Sequence, residues 1–164
     1  MKFVRLIFFS TLVFVILALA VSFFIPSHIR VFRMVKIANG RDSVLREIKD
    51  LSQWKKWYPG MDKIELKNPE TKDGLVVKAT ARNVLLQVDE AKDSLVVVKF
   101  QSGERPVMAT WQINRDIKTD SLVLQNTMEF DLKWYPWEKF SSLLLDKSYG
   151  NIMQMGLDAL KKEN

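Results

Sequence analysis

IRVFRMVKIANGRDSVLREIKDLSQWKKWYPG, residues 29–60, changes its hydrophobic period twice in one short stretch. Residues 29–38 alternate, with Ile29, Val31, Val35 and Ile37 on one side, which reads as a first strand. Asn39-Gly40 is a turn signal. Asp42 or Ser43 then suits a helix N-cap, and Val44, Leu45, Ile48 and Leu51 recur at helical spacing with Arg46 and Glu47 opposite. Ser52 suits the cap of a second short helix. Trp54, Trp57 and Tyr58 stand at i, i+3 and i+4, on one face of it. Pro59-Gly60 ends it.

Beyond Gly60 the pattern is strand-like for about seventy residues. Candidate strands are 61–68, 75–82, 84–90, 94–102, 107–115 and 121–132. Turn signals separate them at Asn68-Pro69, Asp73-Gly74, Lys92-Asp93, Gly103 to Pro106 and Asp116 to Asp120. Connections this short predict antiparallel neighbours. Residues 138–163 return to helical period. Leu145, Tyr149, Ile152, Met155, Gly156, Ala159 and Leu160 fall on one side, and Asp146, Lys147, Asn151, Asp158 and Lys161 elsewhere. The order is strand, two short helices, six strands, long helix. A seven-stranded antiparallel sheet has a face to bury, and the long helix is the element expected to cover it. The expected class is therefore α+β.

On the other side of the opening stretch lies an apolar run. Lys2 and Arg5 precede Leu6 to Ile25, twenty residues without a charge. In a helix these rise roughly 30 Å, about one hydrocarbon core. Three readings compete: a retained transmembrane anchor, a cleaved signal peptide with Ala18-Leu19-Ala20 as its processing site, and a buried core helix. Val21 to Ile25 stay apolar past that site, which favours the anchor. The expected organisation is thus an anchor over 1–27 and a folded domain over 28–164. Basic residues flank the run on both sides: Lys2 and Arg5 before it, Arg30, Arg33 and Lys36 after. The short N-terminal tail favours a cytoplasmic N-terminus, with the domain extracytoplasmic, on the periplasmic side in a Gram-negative cell.

Composition removes other classes. The 164 residues are 48% hydrophobic and 27% charged, which is globular and not disordered. There is no cysteine, so disulfides, thiolate nucleophiles and Cys-ligated metals are excluded. His28 is the only histidine, which argues against His-rich metal sites and a Ser-His-Asp triad. The net charge of +6 is spread along the chain. It forms no basic-aromatic motif, so no nucleic-acid partner is expected. No phosphate loop or nucleotide fingerprint is present, and no cofactor is expected.

The segment from Ile37 to Pro59, with its strand, turn, short helix ending in Asp50 and Trp54-x-x-Trp57-x-Pro59, resembles the START-like (SRPBCC) superfamily. More narrowly it is similar to the polyketide cyclase/dehydrase and lipid-transport group. The close, Tyr149 followed by Gly156-Leu157-Asp158-Ala159-Leu160-Lys161-Lys162, and the strand Trp111-Gln112-Ile113 carry the same resemblance. The chain departs from the pattern at Asn39-Gly40, where the group often has Ala-Pro, and at Asp120-Ser121, where it often has Gly-Thr. The resemblance implies a helix-grip fold: a curved seven-stranded antiparallel sheet around a long C-terminal helix. It also implies a cavity between the two for a lipid or other hydrophobic small molecule. With the anchor, the expected function is a membrane-tethered, non-catalytic binding module.

The residues expected to line that cavity are Trp57, Tyr58, Val77, Ala79, Ala81, Phe100, Trp111, Met128, Phe130, Tyr149, Ile152, Met153 and Gly156. The plainer alternatives stay open. Trp54, Trp57 and Tyr58 also suit a packing cluster, the methionines an ordinary core, and Gly156 a close helix contact. Two rival functions follow from those alternatives. One is an enzyme acting on a hydrophobic substrate, for which Asn126, Thr110 and Gln112 are the expected interior polar groups. The other is a filled-core scaffold for a protein partner of unknown kind. Glu129 and Asp131 share the face opposite Met128 and Phe130, so they read as solvated charge and not as an acid/base pair.

Overall fold

The computed structural model describes residues 2–38, 40–117 and 120–163. Asn39 of the first expected turn and residues 118–119 of the last one lie outside them. Helix α1 spans Lys2–Phe24 and strand β1 spans His28–Ile37. Helix α2 (Arg41–Lys49) follows, then a single 3-10 turn (Leu51–Gln53) and helix α3 (Trp54–Trp57). Six strands come next: β2 (Leu66–Lys72), β3 (Leu75–Ala81), β4 (Val84–Ala91), β5 (Leu95–Gln101), β6 (Val107–Arg115) and β7 (Leu122–Asp131). Helices α4 (Pro136–Ser142) and α5 (Leu145–Glu163) close the chain.

The class is α+β. The seven strands form one antiparallel sheet in the order β1-β7-β6-β5-β4-β3-β2. Strands β2 to β7 are a meander, and β1 joins it beside the last strand. Asp73 and Gly74 both have positive φ, +53° and +78°, which suits the tight turn between β2 and β3. Asn68-Pro69 does not end a strand as expected. Asn68 takes φ +50° and the register shifts there, so the pair is a bulge inside β2. A bulge with Pro blunts an edge strand. The expected strand over 61–68 begins only at Leu66, because Met61 and Ile64 turn inward onto the core.

One face of the sheet is covered by two groups of helices. Helix α5 lies over β1 and reaches β7 and α3, while α2 and the 3-10 turn lie over β3 and β5. The expectation that one long helix would cover the whole face is thereby corrected. Val44, Leu45, Ile48 and Leu51 are buried, as their spacing predicts. The expected caps are not used. Gly40 stands at the N-cap of α2 without a side-chain bond, and Asp50, not Ser52, caps the 3-10 turn.

The helix expected over 138–163 is broken. Leu143 and Leu144 form a turn between α4 and α5, bonded to Phe140 O and Ser141 O. The two helices have different attachments. Lys139 of α4 donates to Ile25 O at 2.7 Å, at the end of α1, and Asp146 of α5 pairs with Arg33 on β1. The buried face of α5 is also rotated from the expected one. Met153, Gly156, Leu157 and Leu160 are buried, whereas Met155 is 54% exposed.

Helix α1 carries no charge after Arg5, is almost wholly exposed and is long and apolar enough to cross a bilayer. The core-helix reading is thereby removed. Length and apolarity suit an anchor and a signal sequence alike.

Candidate functional site: an apolar cleft at one end of the sheet

Trp54 is the centre of the helix–sheet junction. Its ring lies 4.8 Å from Tyr58, 5.2 Å from Trp57, 5.4 Å from Trp111 on β6 and 5.8 Å from Phe100 on β5, measured between centroids. Its Nε1 donates to Ile48 O at 2.9 Å, so the indole is satisfied while fully buried. The spacing of Trp54, Trp57 and Tyr58 thus builds a packing cluster, the plainer of the two readings. One wall of that cluster is left open.

The opening is an apolar cleft of about 280 Å³. Trp54, Tyr58 and Phe100 form its aromatic wall. Met61 and Ile64 of the loop after α3 form one rim, and Ala81, Val84 and Leu86 of the β3–β4 hairpin form the other. The short side chain at Ala81 leaves the space. Arg82 stands at the mouth. The volume lies near the lower end of the range for ligand sites, about 300–1,000 Å³.

Strand register places this cleft. His28 is opposite Asp131, Met108 opposite Glu129, and Phe100 opposite Val107. Leu85 is opposite Gln101, and Ala81 opposite Val84. The start of β1 and the β3–β4 turn therefore share one end of the sheet. The cleft lies at the end where α1 joins the domain.

One aromatic layer further in, three buried polar atoms have no hydrogen-bond partner among the described residues: Trp57 Nε1, Trp111 Nε1 and Asn126 Oδ1. Asn126 stands opposite Trp111 in the β6–β7 pairing, and the Trp57 and Trp111 rings are 6.2 Å apart. Leaving a buried polar group unpaired costs about 1–3 kcal/mol. Two donors and one acceptor concentrated here suit a polar group or ordered water. The inward face also carries Arg33, opposite Asn126. Its guanidinium crosses Gly150 to pair with both Asp146 oxygens, at 2.9 and 3.0 Å. Burial, with the Tyr149 phenol adding to it, pushes the Tyr58 phenol well up. Burial raises the Asp50 carboxyl, but bonds from Ser52 Oγ and from the Ser52 and Val76 amides, aided by Gln53, outweigh it and hold it low. Its role is to tie the 3-10 turn to β3.

Of the residues expected to line a cavity, Tyr58, Ala81 and Phe100 line the cleft. Trp57, Ala79, Trp111, Met128, Phe130 and Met153 are buried in the surrounding core, and Val77 and Ile152 are half-buried. Tyr149 packs on Phe130 at 4.8 Å. A Cβ on Gly156 would touch Pro59 and Trp57 at 3.4 and 3.6 Å, so this glycine marks a close contact with α3. Met61, Ile64, Val84 and Leu86 were not expected at the site. Alternation places Met61 and Ile64 in a strand and so hides their role, whereas the inward alternation of Val84 and Leu86 is a signal that points to them. Asn126 is interior as expected. Thr110 and Gln112 alternate with the buried Ala109, Trp111 and Ile113, so they face the other side of the sheet. Glu129 and Asp131 face that side too, paired with Arg30 and His28. Among the described residues no cluster of His, Asp or Glu is arranged to hold a metal ion.

Residues 28–163 match the family described as polyketide cyclase / dehydrase and lipid transport. No curated protein matches the chain. Among solved structures, a START superfamily protein from Mycobacterium smegmatis is 17% identical with a TM-score of 0.57, covering 82% of this chain and 95% of that one. A solution structure from Thermobifida fusca is 18% identical with a TM-score of 0.58, covering 82% and 91%. The di-domain ARO/CYC StfQ from the steffimycin biosynthetic pathway is 10% identical with a TM-score of 0.60, covering 82% of this chain and half of that one. At these identities the likeness is one of fold.

Proposed function

The chain belongs to the polyketide cyclase/dehydrase and lipid transport family, and we propose that it is a membrane-tethered module that takes up a lipid or similar amphiphile through the cleft between the loop after α3 and the β3–β4 hairpin. Residues 1–27 are the anchor and residues 28–164 the binding domain. The observation that carries this reading is the position of the cleft: an apolar opening at the end of the sheet from which the apolar helix departs. A ligand leaving the bilayer enters there without crossing the full height of the domain.

The chemistry of the cleft suits an alkyl chain. Each methylene moved out of water contributes about 0.8 kcal/mol, so about ten contribute about 8 kcal/mol before the cost of association is met.

The test is mass spectrometry of the full chain purified in mild detergent, beside Val84→Trp. Val84 is half-buried on the rim, so a larger ring there fills the cleft with little disturbance of the core. The expected result is an amphiphile retained by the wild-type chain and lost from a variant that melts at the same temperature. A wild-type chain that retains nothing and takes up no added fatty acid would favour a filled-core scaffold instead.

A further inference from the structure

We propose that the segment from Lys133 to Leu144 docks in the interfacial layer of the bilayer beside α1, so that the domain is held against the membrane at two places. The inference rests on the reading of α1 as a retained span. It concerns a different surface from the ligand cleft.

Five tryptophans occur in the chain. Trp54, Trp57 and Trp111 are buried in the core, while Trp134 and Trp137 are 69% and 68% exposed. Leu143 and Leu144 are also mostly exposed, at 67% and 62%, and Phe140 and Tyr135 are partly so. The opposite side of α4 is the buried one, through Lys139 and Ser142. An amphipathic helix that turns its aromatic side outward is a poor solution for water and a good one for a membrane interface, where Trp and Tyr concentrate.

What covers this face is indicated by its continuity with α1. Leu132 N–H donates to Ser27 O at 2.7 Å, and Lys139 Nζ donates to Ile25 O at 2.7 Å. A cation is favourable at that helix C-terminus. Trp134 faces Leu19 and Phe23 across one cleft, and Tyr135 and Trp137 line another with Phe14 and Ala18. Phe23, Leu19 and Ala18 lie one to six residues before Phe24, up to about 9 Å along the helix axis, and Phe14 lies ten before it, about 15 Å. The aromatic face thus covers the depth of about 5–10 Å at which interfacial helices sit and reaches past it at Phe14. Lys133, whose Nζ lies over the Tyr135 ring at 5.9 Å and 3.4 Å from Glu104, stands at the headgroup level. A lipid surface is therefore the occupant.

All five tryptophans lie outside α1, so their emission reports on the domain and not on the span. The full chain is reconstituted in phosphatidylcholine/phosphatidylglycerol vesicles, with and without lipids brominated along the acyl chain. The expected result is that bromolipid quenches the emission of Trp134 and Trp137, two of the five tryptophans. The loss should be clearly smaller in the Trp134→Phe/Trp137→Phe variant, which removes only exposed rings, while any quenching of Trp54 by lipid held in the cleft is the same in both proteins. A chain that resists carbonate extraction but shows no quenching, or equal quenching in the wild type and the double variant, overturns the docking. A chain that carbonate strips from the vesicles overturns the anchor reading and this inference with it.

Discussion

Arg33 sits on the buried face of β1 between Val31 and Val35, the one charged residue in that alternation. Its guanidinium reaches Asp146 only because residue 150 has no side chain: a Cβ there would lie 2.1 Å from Nη2. Gly150→Ala should therefore displace Arg33 and uncouple it from Asp146. In a double-mutant cycle, Asp146→Asn should lower the melting temperature slightly in the wild-type background and leave it unchanged in the Gly150→Ala background. Asp50 gives a second expectation. Asp50→Ala should cost about 1–2 kcal/mol at neutral pH, through loss of the cap and of the tie to Val76. Because the folded-state pKa is lowered, the stability it contributes is complete above the ordinary value of 3.8 and is lost as pH falls through the folded-state value. The stability difference between the two proteins should begin to shrink below pH 3.8 and go on shrinking as the folded-state carboxylate is protonated. A difference that persists in acid would mean that the carboxylate charge is not what holds the turn.

At the scale of elements, β6 was legible to the residue, and β1, β3, β4, β5 and β7 to within two residues, because alternation toward one buried face is a strong signal. The failures have local causes. Met61 and Ile64 alternate like a strand but close the core from a loop. Asn68-Pro69 has the composition of a turn but serves as a bulge. Neither Gly nor Pro marks the break at Leu143-Leu144. Its cause is tertiary, since α4 is tied to the end of α1 and α5 to β1. The site was half legible for the same reason. Tyr58, Ala81 and Phe100 follow from periodicity, while the loop residues that complete the cleft depend on how the chain turns after Gly60. The orientation of α5 yields a direct check. Leu157→Asp should unfold the domain, because an unpaired buried charge costs several kcal/mol against a total stability of about 5–15. Met155→Asp, on the exposed side, should change the melting temperature little. The reverse ranking would restore the face that places Met155 inward.

For the molecule as a whole, the antiparallel register brings three features to one end of the sheet: the junction with α1, the aromatic segment from Trp134 and the apolar cleft. If α1 is retained as the anchor, an intact-mass measurement of the mature protein should include residues 1–27. A mature N-terminus at Val21 would identify the segment as a signal sequence. Photo-crosslinking the full chain in vesicles with a diazirine-bearing fatty acid, with the adducts mapped on peptides, shows whether the cleft holds an alkyl chain. Adducts are expected within residues 59–64 and 81–86 and should disappear in Val84→Trp. Adducts confined to α1 and residues 134–144, unchanged by that substitution, would contradict an alkyl chain in the cleft.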